Sequence, residues 1–192
     1  MGLLSFLFNK QDPTTEWLGD PQVDIEFDFD RHALCDVAVG EPIDRLKFLG
    51  PSEDPRAARM GTLCYYSRGF AVEFAEGRIT GYTLFWVDEQ LDQYDPFGGL
   101  CLLRGKPITL NDDTEEAEVM TFFGTPYWKD DADDEIILFY EHGDVEWEVE
   151  LTCDGQLNAI VVQSPPVLAD AEQRQYHGVT KPWPPEPVHT TR

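Results

Sequence analysis

The feature that most constrains this chain is a sequence order that occurs twice. Gly40-Glu41-Pro42-Ile43 is matched by Gly105-Lys106-Pro107-Ile108, and Leu46-Lys47-Phe48-Leu49-Gly50 by Met120-Thr121-Phe122-Phe123-Gly124. Further on, residues 63–69 are matched by residues 137–143, and Gly77-Arg78-Ile79 by Gly155-Gln156-Leu157. The matches keep their order, and the spacing between copies changes only where a loop lengthens. Chance resemblances do not hold order in this way. The chain therefore reads as one supersecondary unit used twice, with a period too long for a solenoid.

Each copy has a physical reading. A strand, Ala33 to Val39 or Leu100 to Arg104, runs into a Gly-x-Pro turn. Ile43, Leu46 and Leu49 in the first copy, and Ala117, Met120 and Phe123 in the second, have the spacing of one helix face. Gly50 and Gly124 stand where a helix C-terminus favours a left-handed residue, and Pro51 and Pro126 forbid continuation. In the second copy residues 111–114 supply an N-cap, and Glu115, Glu116 and Glu118 suit the first turn. Strands are expected at 63–66, 69–74 and 79–87, and again at 136–140, 145–151 and 157–162. Ser67-Arg68, Glu76-Gly77, His142-Gly143 and Asp154-Gly155 are the turns between them. Ahead of the first copy, Val23, Ile25, Phe27 and Phe29 alternate with Asp24, Glu26, Asp28 and Asp30, an extra half-buried strand. The expected fold is α+β, two tandem repeats, each a short helix packed on an antiparallel sheet. The repeats span 23–99 and 100–163, between an N-terminal arm (1–22) and a Pro-rich C-terminal tail (164–192). Periodicity leaves open whether the two sheets join.

Charge narrows the function. With 37 Asp+Glu against 14 Lys+Arg the net charge is −23, and no Lys/Arg cluster offers itself to a phosphate backbone, so no nucleic acid is expected as partner. The same balance disfavours an anionic membrane surface, and no apolar run approaches the roughly 20 residues of a spanning helix. An apolar content of 42% with 12% aromatics is enough for a real core. Residues 1–8 lack the basic segment of a secretory signal, and Phe6 stands where myristoylation wants Ser or Thr; an apolar plug docked on the domain is expected. Cys35, Cys64, Cys101 and Cys153 form no C-x-x-C pair and read as buried strand thiols of a cytoplasmic protein. His32 with Cys35 is too little for zinc, and His142, His177 and His189 lack partners at ligand spacing, so neither metal nor cofactor is expected.

Catalytic signatures are missing. None of Ser5, Ser52, Ser67 and Ser164 lies in Gly-x-Ser-x-Gly, and neither a phosphate-binding loop nor a dinucleotide fingerprint occurs. Cys64 or Cys153 beside His142 would make a nucleophile and base, but both cysteines sit among apolar strand neighbours and read as core thiols. Asp130-Asp131-Ala132-Asp133-Asp134-Glu135 resembles a calcium loop only in part. The twelfth position is Glu141, as required, but the sixth is Glu135 and not glycine, which leaves a solvated acidic loop. Asp144, Glu146, Glu148 and Glu150 share one strand face, opposite Val145, Trp147, Val149 and Leu151. Like charges on one face repel, so such a face serves solubility and edge protection or binds a basic protein. Tyr127-Trp128 adds residue types enriched at interface hot spots. The candidate partner-binding set is Tyr127, Trp128, Asp130, Asp131, Asp133, Asp134, Asp144, Glu146 and Glu148, expected at a surface lip of the second repeat. The prolines between Pro165 and Pro187 make the tail an extended strap or a mobile segment.

Phe123-Gly124-Thr125-Pro126, the aromatic strand at Phe139-Tyr140 and the closing run from Gly155 to Ile160 carry a resemblance. In pattern, residues 35–162 resemble the domain of small outer-membrane lipoproteins of the SmpA/OmlA type, and are similar to the tandem units of β-lactamase inhibitor proteins. The first copy departs at Leu49-Gly50-Pro51, which lacks a residue before the proline. The resemblance implies a helix-plus-antiparallel-sheet unit that binds other proteins. No lipobox cysteine is present to carry over the outer-membrane role, and no inhibitory residue maps onto a position here. The expected function is a non-enzymatic acidic protein-binding module, an immunity protein or enzyme inhibitor engaging a basic partner. The alternative is a carbohydrate or other small-ligand binder, or a carboxylate-dependent hydrolase, which requires a concave pocket where acids converge.

Overall fold

Alternating apolar and polar residues between tight turns give short strands. The computed structural model describes residues 11–87, 93–131 and 135–185. In chain order it contains β1 (Glu26–Asp28), β2 (Ala33–Leu34), β3 (Val37–Ala38), a 3-10 helix (Ile43–Leu49), α1 (Pro55–Met60) and β4 (Thr62–Tyr65). A 3-10 turn (Tyr66–Arg68) leads to β5 (Phe70–Ala75), β6 (Arg78–Phe85), β7 (Leu100–Leu103) and β8 (Lys106–Ile108). Then come α2 (Glu116–Phe123), β9 (Trp128–Asp131), β10 (Glu135–His142), β11 (Val145–Thr152) and β12 (Leu157–Gln163). A 3-10 turn (Val167–Ala169) and α3 (Ala171–Tyr176) follow.

These elements make an α+β fold of two sheets. The smaller has the order β3-β2-β1-β7-β8, with β1 parallel to β7. The larger is antiparallel throughout, in the order β4-β5-β6-β12-β11-β10-β9. Its centre is the β6–β12 pair, where Thr83 faces Val161 and Gly81 faces Gln163. Strands β4 to β6 and β9 to β12 thus lie in one continuous sheet. Phe27 and Phe29, both fully buried, project from the small sheet region onto the large one. Phe27 meets Tyr82 edge-on at 5.6 Å, and Phe29 meets Trp147 at 5.3 Å and Phe123 at 5.0 Å. Such ring contacts add about 0.5–1.5 kcal/mol each beyond area burial.

Several local expectations need correcting. Ile43, Leu46 and Leu49 are buried together, but in a 3-10 helix. Their strict three-residue spacing fits three residues per turn better than 3.6. In α2 the apolar face is Val119 with Phe122 and Phe123, whereas Met120 is 39% exposed and Ala117 is exposed. Its N-terminus is closed by Glu115, whose N–H donates to Glu118 Oε2 at 3.3 Å, and not by residues 111–114. Residues 33–39 are not one strand: they form a hairpin that turns at Cys35 and Asp36, with φ of 47° and 64°. Cys35 is therefore half-buried in a turn and Cys153 exposed in another, so only Cys64 and Cys101 are buried strand thiols; all four are free. The segment 130–135 is not a free loop, because Trp128–Asp131 forms an edge strand against β10. The tip with Asp133 and Asp134, and the apolar start at 1–8, lie outside the described residues. No described helix is long and apolar enough to cross a membrane.

Candidate functional site

The alternation of β11 turns Val145, Trp147, Val149 and Leu151 toward the core, and Glu146, Glu148 and Glu150 to the opposite face. That opposite face is covered. Glu146 is 0% exposed; its Oε1 accepts the Val167 N–H at 2.9 Å and its Oε2 the Leu168 N–H at 3.2 Å. Those N–H groups open a 3-10 turn and have no partner within it, so a side-chain acceptor satisfies what the helix start leaves over. Leu168 is fully buried beside them. The expectation of a surface lip therefore fails at Glu146, and Glu148 and Glu150 are half-buried.

The other candidate residues meet the same covering segment. Trp128 Nε1 donates to the His177 carbonyl at 2.9 Å, and Asp130 Oδ2 lies 2.8 Å from His177 Nδ1. The His177 ring packs edge-on against Phe139 at 4.9 Å. Tyr127 Oη donates to the Pro182 carbonyl at 2.9 Å, and its ring meets Trp183 at 5.9 Å. Lys181 Nζ donates to the Tyr127 carbonyl at 2.6 Å and stands 5.5 Å over the Tyr127 ring. Residues 164–183 are thus a strap, partly helical and not simply extended, and Tyr127, Trp128, Asp130 and Glu146 hold it. Asp131 is exposed and 3.3 Å from Lys129, which also bonds Glu116 at 2.9 Å. Asp144 is exposed at the β10–β11 turn. Asp133 and Asp134 fall outside the described residues.

Under the strap the carboxyl groups crowd together. Glu141 on β10 pairs across the strands with Glu146, and Glu148 lies two residues further along the same face of β11. Both carboxyl oxygens of Glu141 are buried with no donor. Burial, with Glu146 and Glu148 adjoining, pushes the Glu141 carboxyl up to about 9. Burial and Glu146 push Glu148 up to about 8, although the Gln163 amide donates to it. Burial and Glu135 push Glu150 up to about 7. Glu141 and Glu148 are thereby neutral acids near pH 7, able to donate a hydrogen bond as well as accept one. Sequence reading missed Glu141 as a site residue. The signal was available in the His142-Gly143-Asp144 turn, which sets the register that brings Glu141 opposite Glu146.

Beside this cluster, between the end of α2, the end of β10 and the strap, lies a cleft of about 800 Å³. Phe123, Tyr127, Tyr140 and Trp183 supply its aromatic walls, Pro126 and Pro182 add apolar surface, and Glu141, His142 and Lys181 are its ionisable groups. His142 stacks on Trp147 at 3.8 Å, and burial with His32 nearby pushes it down to about 4. A concave, mostly apolar site with few polar groups is what small ligands and inserted side chains use. Among the described residues no three His, Cys, Asp or Glu side chains are grouped to hold a metal ion.

No family model matches the chain. No curated protein matches it either. Among solved structures, a DUF4309 family protein (YjgB) from Bacillus subtilis is similar to it, at 12% identity and a TM-score of 0.46, over 68% of this chain and 84% of that one.

Proposed function

We propose that this chain is a non-enzymatic, acidic protein-binding module, of the immunity-protein or enzyme-inhibitor kind, and that its partner is basic. The observation that carries the reading is the charge: −23 overall, with Arg31, Arg45, Lys47 and Lys129 already paired to Asp36, Glu41, Asp44 and Glu116. The acidic excess is left to face outward, where it steers a positively charged partner.

The same proposal takes the module as a tandem duplication of one helix-plus-sheet unit. Its support is a set of recurring bonds. Tyr65 Oη donates to the Gly50 carbonyl at 3.1 Å, and Tyr140 Oη to the Gly124 carbonyl at 3.2 Å. Ile79 N donates to Glu41 O and Leu157 N to Thr114 O, both at 2.9 Å. Ile43 N reaches Gly77 O, as Glu116 N reaches Gly155 O. These pairings set Tyr65 against Tyr140, one residue off the sequence match, and Ile43 against Glu116 in place of Ile108.

Affinity capture from the native cell at low and at molar salt tests the reading. A partner held at low salt and released at high salt, with an association rate that falls steeply as salt rises, is the expected result. A complex indifferent to molar salt overturns the electrostatic mechanism. The cleft favours a second reading, a small-ligand binder, which predicts a ligand that protects residues 123–127 and 181–185 from hydrogen exchange with no protein partner present.

A further inference from the structure

We propose that the cleft between the end of α2 and the strap receives a lysine side chain presented by an extended segment of the basic partner, and that Lys181 occupies its rim as an internal stand-in. The inference rests on the reading that the partner is basic, and it deepens that reading by naming where the charge is inserted.

Three observations converge. First, the walls are ring faces: Phe123, Tyr127, Tyr140 and Trp183 surround a space of about 800 Å³, ample for one long side chain and its flanking backbone. Aromatic faces attract ammonium groups, most strongly where water is excluded. Second, among the described residues the acid on the wall has no hydrogen-bond donor and no cationic partner. Both oxygens of Glu141 are buried without a donor, and among the described residues no ion pair involves Glu141, Glu146 or Glu148. Third, an ammonium already sits against this aromatic surface. Lys181 Nζ lies 5.5 Å over the Tyr127 ring and donates to the Tyr127 carbonyl. It belongs to the strap and is exposed, so a side chain of the same chemistry can take its place.

Insertion changes the protonation of the site. Glu141 is faced by Glu146 and Glu148 from β11 and by Tyr127 from the loop ahead of β9, and Lys181 of the strap lines the same cleft. Burial and the two glutamates keep a proton on it in the free protein. An ammonium brought beside it favours the ionised carboxylate. The proton then leaves to buffer, so binding near neutral pH is accompanied by proton release.

The test is an NMR titration of the full chain with acetyl-Gly-Gly-Lys-Gly-Gly-amide at physiological ionic strength, with the norleucine peptide as comparison. The expected result is lysine-dependent shifts confined to amides at 123–127, 140–143 and 181–185. Lys181→Met removes the internal competitor and tightens binding roughly fivefold. Glu141→Gln weakens it roughly tenfold and abolishes proton release, measured by calorimetry in two buffers of different ionisation heat. Amide spectra away from the cleft show whether each variant is folded. If the norleucine peptide binds equally well, the cleft is merely apolar and the proposal is overturned. Lysine-dependent shifts that are the same in both variants, or scattered over the acidic surface, also overturn it. In that case salt-sensitive capture of a basic partner by Glu141→Gln keeps the broader reading standing, whereas loss of capture by the unmodified chain removes that reading independently.

Discussion

At the scale of single residues, the unusual groups are the carboxyls under the strap. Glu141 is held at about 9 against an ordinary 4.5, Glu148 at about 8 and Glu150 at about 7. The folded chain therefore binds protons that the unfolded chain has released, and this stabilisation is complete below about 4.5 and lost as pH rises toward 9. His142 acts in the other direction: with its folded value near 4 it favours folding above 6.5 and less as pH falls below that. The melting temperature should accordingly climb as pH is lowered from 9 to 6.5, and climb less steeply from there toward 4.5, where His142 opposes the three carboxyls. Glu141→Gln should raise it at the alkaline end and reduce the slope, measured by thermal unfolding across that range; an unchanged slope would show that Glu141 titrates normally. Glu146 has a different task. Glu146→Ala strands the Val167 and Leu168 N–H groups, at a cost of about 1–3 kcal/mol, visible as faster hydrogen exchange of those two amides.

Among the elements, the two helix ends carry a matched pair of constraints. Gly50 has φ 83° with ψ −173°, and Gly124 has φ 88° with ψ −162°, a region that side chains other than glycine's do not tolerate. Gly124→Ala should cost about 1–3 kcal/mol from backbone strain alone, because an added Cβ there meets no atom within 4 Å. Gly50→Ala should cost more, since its Cβ would stand 3.1 Å from the Gly19 Cα. Urea denaturation of both variants checks the ranking, and a neutral Gly124→Ala would refute the strain argument. The strap is the other element with its own prediction. Leu168→Ala removes its fully buried anchor, a change worth about 2–5 kcal/mol in cores. Hydrogen exchange should then rise across 165–178 while β10 to β12 keep their protection; loss of protection throughout would mean that strap and sheet unfold as one. The turn glycines and the placement of the two helical segments that end at Gly50 and Gly124 were legible in the sequence, because glycine and proline act locally, whereas α1 and α3 were not. The helical face of α2 was not, since which of its sides is buried depends on where Phe29 and Trp147 stand.

For the molecule as a whole, the dominant quantity is the net charge of −23, whose self-repulsion opposes compactness. Moderate salt screens that repulsion, so the melting temperature at pH 8 should rise with ionic strength, and should rise less near pH 5 where more carboxyls are neutral. A melting temperature that falls with salt would mean that attractive pairs such as Lys129 with Glu116 outweigh the repulsion. The sequence by itself determined the α+β class, the hairpin turns and the strand faces of β11, because each follows from spacing and turn chemistry within a dozen residues. Only the tertiary structure decided that β6 joins β12 in one sheet, that Glu141 and Glu146 share a buried site, and that Tyr127, Trp128, Asp130 and Glu146 hold the chain's own C-terminal strap. The reason is physical: periodicity tells which side chains share a face, but what covers that face comes from a segment far along the chain, whose packing no local pattern encodes.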